Sequence, residues 1–120
     1  MSDERDDRQR RKARYESVLA CVEKNTGRPG RPQRAGIEPA RVVMHLAAHG
    51  RYDHDAVRRS IQAARSNDDL LKWTDGEGTA RLSRTTVEGL QAVVAEQNQR
   101  ETPDVELCTR VSNLKEAIHG

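Results

Sequence analysis

Residues 42–85 read VVMHLAAHGRYDHDAVRRSIQAARSNDDLLKWTDGEGTARLSRT, and the period of the apolar residues changes within this stretch. Up to about Asn67 the apolar residues recur every three or four positions, as in amphipathic helices. From Leu71 onward they alternate with polar residues, which is typical of strands. Glycines within DGEG, residues 75–78, can supply the positive φ that a tight turn needs. The stretch therefore predicts two helices followed by a β-hairpin.

The two helices have recognisable starts and apolar faces. Pro39 suits a first helical turn, Gly50 separates the helices, and Asp53 suits the N-cap of the second helix. The residues expected to face inward are Val42, Val43, Leu46 and Ala47 in the first helix and Val57, Ile61 and Ala64 in the second.

The rest of the chain predicts one helix before this stretch and two after it. The first runs over about 9–25, and Thr85 with Glu88 has the spacing of a capping box that opens the next. Thr102 and Pro103 suit the start of the last. The apolar positions of the first helix are Tyr15, Val18, Leu19 and Val22. The expected fold class is mainly α with one β-hairpin.

The last two helices carry apolar seams that suit a dimer interface or packing within the chain. The seam residues are Leu90, Val94, Leu107, Val111, Leu114 and Ile118. We expect dimerisation through residues 85–120, with intramolecular packing as the alternative. Residues 1–8 are polar and mixed in charge, which indicates a disordered tail.

Two short helices followed by a tight hairpin, over residues 42–85, resemble the second half of a winged helix-turn-helix domain. In that family the third helix docks in the major groove, and the hairpin, called the wing, contacts the backbone or the minor groove. The resemblance implies a winged-helix DNA-binding domain over residues 9–84, with a basic loop at 26–36 and extra N- and C-terminal helices.

The charges are unevenly distributed, although the net charge of the 120 residues is only +2. Residues 1–36 contain ten Lys and Arg against six Asp and Glu, whereas residues 37–120 contain eleven against thirteen. A local positive surface matters more for binding phosphates than the overall sum.

Residues on the helix at 53–67 and on the hairpin are candidates for DNA contact. Arg58, Gln62 and Arg65 project along one line of the helix, and Arg and Gln can hydrogen-bond guanine and adenine edges. The same residue types would also suit a solvated helix face. The candidates on the helix and the hairpin are Arg58, Arg59, Gln62, Arg65, Lys72, Arg81 and Arg84.

Residues 26–34 read TGRPGRPQR and are similar to the Gly-Arg-Pro core of AT-hook segments, whose arginines enter a narrow A·T minor groove. Arg28, Arg31 and Arg34 recur every three residues, which would align them along one edge of a polyproline-like strand. A phosphate clamp and a merely solvated flexible loop are the alternatives.

Catalytic and cofactor motifs are lacking in the sequence. It has no glycine-rich phosphate loop, nucleophile elbow or paired catalytic carboxylates, so we expect neither an enzyme nor a cofactor. His45 and His49 lie four apart, but the Glu of an HExxH motif is absent, so we expect no metal site. Cys21 and Cys108 suit reduced thiols, with a redox switch or a disulfide between subunits as the alternatives.

Taken together, the sequence predicts sequence-specific binding of double-stranded DNA by a small homodimeric transcriptional regulator. The alternative is a protein-interaction adaptor that uses a winged-helix fold without DNA. The N-terminus has no apolar signal segment, and no apolar run approaches the length of about 20 residues that spans a bilayer, so we expect a cytoplasmic protein.

Overall fold

The computed structural model describes residues 2–25 and 35–119, with side chains described from 5 to 25 and from 35 to 118. Its elements, in chain order, are α1 (Ser2–Lys24), α2 (Pro39–Ala47), a 3-10 turn (Ala48–Gly50), α3 (His54–Ser66), β1 (Leu70–Thr74), β2 (Ala80–Arg84), α4 (Val87–Asn98) and α5 (Val105–His119). The expected class, mainly α with one antiparallel β-hairpin, is confirmed.

Strands β1 and β2 divide their side chains between the two faces of the hairpin. Leu70, Lys72 and Leu82 share one face, whereas Trp73 and Arg81, which pair directly across the strands, share the other. Ile37 extends the ladder at one point, because its amide donates to Leu82 O at 3.0 Å and its carbonyl accepts from Leu82 N at 2.7 Å. This bridge fixes the chain just before α2 beside the hairpin.

Among the described residues, the apolar core forms two clusters on opposite faces of the hairpin. The first joins α1, α2 and α3 through residues that include Val18, Val22, Val42, Val57, Ile61, Leu70 and Leu82. The second joins α4 and α5 to the other hairpin face through Ala35, Leu71, Trp73, Leu90, Val93, Leu107 and Val111. The inward stripes predicted for α2 and α3 are confirmed, since all seven of their residues are buried. The hairpin is therefore clamped between two helical layers.

Helix α1 begins at Ser2, so the prediction of a disordered tail over residues 1–8 was wrong for the residues that the structure describes. Acidic residues occupy its first two turns, where they complement the positive end of the helix dipole. Asp7 also precedes Arg11 by four residues, the orientation of an ion pair that favours a helix. The prediction gave weight to the polar composition and neglected this charge order.

The caps of α3 and α4 differ in how well the sequence located them. Asp53 caps α3 as expected, because its carboxylate accepts from the amide of Ala56 at 3.2 Å. The capping-box prediction for α4 was wrong by one residue: Thr86, not Thr85, accepts from the amide of Gly89 at 3.2 Å. The Thr85 hydroxyl donates instead to a main-chain carbonyl in the turn before β1.

Helix α5 starts later than expected. Asp104 accepts from the amide of Leu107 at 3.2 Å, so Thr102 is not the cap. The amide of Asp104 in turn donates to the Gln97 side chain at 2.9 Å, and Gln97 is only 2% exposed. This buried glutamine fixes the connection from α4 to α5.

The predicted dimer seam is largely used inside the chain. Leu90, Leu107 and Val111 are buried against the hairpin, and Val94 and Leu114 are partly buried against the same cluster. Ile118 is the seam residue that stays open, at 43% exposure. The structure thus follows the intramolecular alternative. No helix in the described part of the chain is long and apolar enough to cross a lipid bilayer.

Candidate nucleic-acid interface

The outer face of α3 is polar and basic. Its inner residues fill the first core cluster, and this packing turns Arg58, Arg59 and Gln62 into solvent, with Arg65 half-buried. The arrangement follows from the helical period, which separates the buried and exposed residues onto opposite sides. The structure therefore brings all four α3 candidates onto the surface of one helix.

An open groove of about 510 Å³ lies between α2, α3 and β1, and we call it the basic groove. Arg58 and Arg65 reach it from α3, and Lys72 reaches it from β1. Among the described residues that line it, none is acidic. They are Pro39, Ala40, Val43, Met44, His54, Arg58, Ile61, Arg65 and Lys72. Three of the predicted cations thus converge on one concave surface.

The cations of the basic groove have weak partners. Arg58 Nη1 lies 2.9 Å from Asp55 Oδ1, but the two side chains are 62% and 78% exposed. An ion pair this open to water contributes about 0–1 kcal/mol, so a phosphate can replace the carboxylate. Arg65 donates to the neutral side chain of Gln62 at 3.3 Å. Both guanidinium groups therefore keep donors for another partner.

Arg81 is held inside the protein. Its Nε lies 2.6 Å from Asp75 Oδ2, its Nη1 donates to Gly36 O at 2.9 Å, and its side chain is 17% exposed. It also shares the hairpin face of Trp73, which is opposite to the face of Lys72. The predicted DNA contact of Arg81 does not fit this position, because the guanidinium is directed toward the protein's own acceptors.

Asp75 organises the hairpin turn. Besides Arg81, its carboxylate accepts from the amides of Glu77 at 2.9 Å and Thr79 at 3.0 Å. Burial alone would raise the pKa of Asp75, but the hydrogen bond from Arg81 and those from the two amides together lower the pKa below its ordinary value. The carboxylate is therefore kept ionised, as the pair with Arg81 requires.

Arg84 also points away from the basic groove. It is half-buried, its Nη1 donates to Asp69 O at 2.9 Å, and its buried Nε has no hydrogen-bond partner in the described structure. This bond directs the Arg84 guanidinium from the end of β2 to the turn between α3 and β1. The hairpin candidates are thus divided, with Lys72 in the groove and Arg81 and Arg84 turned inward.

Arg28, Arg31 and Arg34 lie outside the residues that the structure describes. The minor-groove hypothesis for the loop therefore stays a prediction. The described chain resumes at Ala35, which is buried at 3% exposure and whose carbonyl accepts from the Ser83 hydroxyl. The C-terminal end of the loop is therefore anchored to β2.

Arg100 is a structural cation that the sequence analysis missed. It lies 3.3 Å from Glu96 on α4, and its Nη2 donates to Thr74 O at 3.1 Å, so it ties the end of β1 to α4. The spacing of four residues between Glu96 and Arg100 is a sequence signal for the ion pair. Nothing local signals the bond to Thr74, because the two residues are 26 positions apart.

The histidines and cysteines whose side chains the structure describes form no chemical site. Helix α2 ends at Ala47, and His49 adopts a φ of 58° in the following turn, so His45 and His49 do not share a helical face. Within the described residues no group of three or more His, Cys, Asp or Glu could hold a metal ion. Cys21 and Cys108 are half-buried free thiols, and burial raises the pKa of Cys21.

Comparisons of the chain with protein-family models, with curated proteins and with solved structures found no match. Function is therefore inferred from the chemistry of the basic groove. Planar guanidinium groups suit phosphate oxygens and base edges, and the Lys72 ammonium suits a phosphate as a point charge. An acid-free groove with these three cations is equipped to bind a polyanion.

Proposed function

We propose that the chain binds double-stranded DNA through the basic groove and the outer face of α3. The observation that supports this most directly is the convergence of Arg58, Arg65 and Lys72 on a groove without an acidic lining residue. The succession of α2, α3 and the hairpin supports a winged helix-turn-helix module with additional helices at both ends. In this proposal the protein is a small transcriptional regulator.

Helix α3 would occupy the major groove. Its 13 residues span about 20 Å at 1.5 Å per residue, and a major groove about 12 Å wide admits one helix. Arg58, Gln62 and Arg65 would contact base edges from one line of the helix. Arg59 and Lys72, at the sides of that line, would contact phosphates and set the orientation.

The hairpin contributes only through the side that bears Lys72. Its tip carries Asp75 and the exposed Glu77, which repel phosphates, and Arg81 is engaged with Asp75. We therefore assign Arg81 the role of stiffening the wing, in place of the DNA contact that the sequence suggested. The proposal needs one chain per binding unit, because the seam of α4 and α5 is mostly covered.

The proposal is tested by fluorescence polarisation with a labelled random duplex at about 50 mM and about 200 mM salt, the range over which phosphate binding weakens steeply. The double variant Arg58→Gln/Arg65→Gln should bind about tenfold more weakly, because it removes two cations from the face that meets the phosphates, and electrostatics supply nearly all of the affinity for a random duplex. The variant Arg110→Gln/Lys115→Gln removes the same charge from α5 and should bind like the wild type.

Two results would contradict the proposal. A wild-type protein without affinity for duplex DNA at the lower salt concentration would exclude it outright. Equal weakening by the α3 and α5 variants would show that only overall charge matters, and would remove the assignment to the basic groove. Circular dichroism of each variant checks that the fold is retained.

A protein-interaction adaptor is the second candidate, and one observation favours it. Met44 is 69% exposed and lines the basic groove beside Pro39 and Val43, so the groove also offers apolar surface to an acidic amphipathic segment. For this function, Met44→Ser should abolish binding of such a peptide, and duplex DNA should not bind even at low salt.

A further inference from the structure

The N-terminal half of α1 extends beyond the core. Residues 5–13 are all exposed, and burial starts only at Arg14 and Tyr15. We call residues 2–13 the N-terminal arm. At 1.5 Å per residue, its 12 residues form a helix about 18 Å long, and the nine residues whose burial the structure describes, 5–13, are not covered by another described element.

The positive charge of the arm lies in its C-terminal half. Residues 8–13 contain four Arg and Lys and no acid, whereas residues 2–7 contain four acids and one Arg. Arg8, Arg11 and Lys12 precede Tyr15, Val18 and Leu19 by seven residues each, which is close to two helical turns. These three cations therefore lie on the same side of α1 as the residues that pack on the core, and we call them the arm stripe.

The opposite side of the arm is different. Asp6 and Arg10 are each two residues from Arg8, so they project away from the arm stripe. Glu4 and Asp7 precede Arg8 and Arg11 by four residues each, so they are the acids spaced to border the stripe. The arm thus concentrates its positive charge on the side that faces the body of the protein.

Contacts between α1 and α3 fix the direction of the arm stripe. Arg14 Nε donates to Ser60 Oγ at 2.7 Å, and the Tyr15 hydroxyl donates to Asp69 in the turn after α3. Ser60 is buried on the inner side of α3, and Gln62, two residues later, is on the outer side. Helix α1 lies against the inner side of α3, so the outer side of α3 faces away from α1. The line of Arg58, Gln62 and Arg65 therefore faces the same way as the arm stripe.

We propose that the N-terminal arm binds the phosphate backbone of the same DNA duplex, beside the segment that α3 occupies. This inference rests on the proposed function. Its basis is the shared direction of the arm stripe and the α3 line, together with the charge complementarity between the exposed cations of the arm stripe and a polyphosphate. The contact is to phosphates, because the arm stripe consists only of Arg and Lys on a fully exposed helix.

The salt dependence of duplex binding tests whether the N-terminal arm binds phosphates. The variant Arg8→Gln/Lys12→Gln removes two phosphate contacts and should lower the slope of log K against log[salt] by about 1.8, at about 0.9 per contact. The matched control Arg10→Gln/Lys115→Gln removes the same charge from the other side of the arm and from α5, and should retain the wild-type slope. Glutamine preserves helix propensity, so circular dichroism should not change.

The outcomes separate the arm from the basic groove. An unchanged slope in Arg8→Gln/Lys12→Gln, with weakened binding in Arg58→Gln/Arg65→Gln, would contradict phosphate binding by the arm but would still agree with the proposed function. A reduced slope with the arm variant, but full affinity with the α3 variant, would support phosphate binding by the arm and contradict DNA binding by the basic groove. Equal reductions by the arm variant and its matched control would overturn the assignment to the arm stripe.

Hydrogen exchange gives a second readout that does not depend on mutation. A short helical segment without packing is only marginally stable, so the amides of the exposed residues 5–13 should exchange quickly in the free protein. Duplex DNA should slow exchange over residues 5–13 if phosphates bind the arm. Unchanged exchange there, with slowed exchange over α3, would overturn the inference.

Discussion

Arg58 on α3 and Arg81 on β2 are the same residue type, each with an aspartate within 3 Å, but they belong to different regions. The Arg58 side chain is 62% exposed and has one water-accessible partner. Arg81 is 17% exposed and bonds both to Asp75 and to the carbonyl of Gly36. Arg58 can therefore exchange its partner for a ligand, whereas Arg81 joins parts of the fold.

The contrast extends to the two sides of the hairpin. The side of Lys72 opens onto the basic groove, while the side of Arg81 packs against α4 and α5 and is joined to α4 by the bond from Arg100 to Thr74. A hairpin fixed in this way presents one edge beside α3. The number and burial of acceptors around each cation, more than its position in the chain, separate the candidate binding region from the structural region.

The largest expected effect is on stability at Arg81. Arg81→Gln should lower the free energy of unfolding by about 3 kcal/mol, because it leaves the largely buried Asp75 carboxylate without its charged partner. Arg58→Gln, the matched control, should change it by less than about 0.5 kcal/mol. Urea denaturation measures both, and similar losses would remove the distinction between the two regions.

The next largest expected effect is on stability at Gly89, where another part of the backbone lies close. A Cβ on Gly89 would overlap the carbonyl oxygen of Arg84, so Gly89→Ala should destabilise the fold by about 1–3 kcal/mol. Gly76 is the control, since a Cβ there would meet the Arg100 side chain at the ordinary contact distance of 3.4 Å. Thermal unfolding of both variants makes the comparison, and an equally destabilised Gly76→Ala would contradict it.

The lowered pKa of Asp75 predicts a pH dependence. A carboxylate with a depressed pKa stabilises the folded state above its unfolded pKa of about 3.9, and this contribution is lost as the pH falls through the folded pKa. Asp75→Asn should therefore be less stable than the wild type at pH 7, with a difference that shrinks towards pH 3. Urea titrations at several pH values measure this difference, and a constant gap would show that Asp75 does not titrate as described.

The smallest expected effect is at the open end of the apolar seam. Ile118 is 43% exposed, so Ile118→Ser should change the free energy of unfolding by less than about 0.5 kcal/mol. Light scattering should give the mass of one chain for the wild type and the variant alike. A wild-type dimer that the substitution dissociates would instead show that the seam acts between subunits.

Much of the fold follows from local sequence patterns. The spacing of Val57, Ile61 and Ala64 and the alternation around the DGEG turn were enough to predict α3 and the hairpin, because each pattern has one matching period. The start of α1 and the cap of α4 were predicted incorrectly. Neighbouring candidates such as Thr85 and Thr86 differ only in their tertiary hydrogen bonds, which the sequence does not show.

The candidate site was less predictable than the fold. The α3 cations could be found because the helical period alone places Arg58 and Gln62 opposite the core. Arg81 was assigned to DNA from its charge, although its pairing with Trp73 across the hairpin is a register signal that it lies on an inward face. The bonds of Arg81 to Gly36 and of Arg100 to Thr74 join distant parts of the chain, and no local pattern encodes them.

The most direct test of the central claim, that one face formed by α3 and Lys72 binds DNA, is a two-dimensional amide NMR titration of the full chain with a short duplex. Chemical shifts should change over residues 54–66, at Lys72 and along the N-terminal arm, and should stay constant around the turn at 75–79 and near Arg100. Changes concentrated at that turn or on α5, or none at low salt, would contradict the claim.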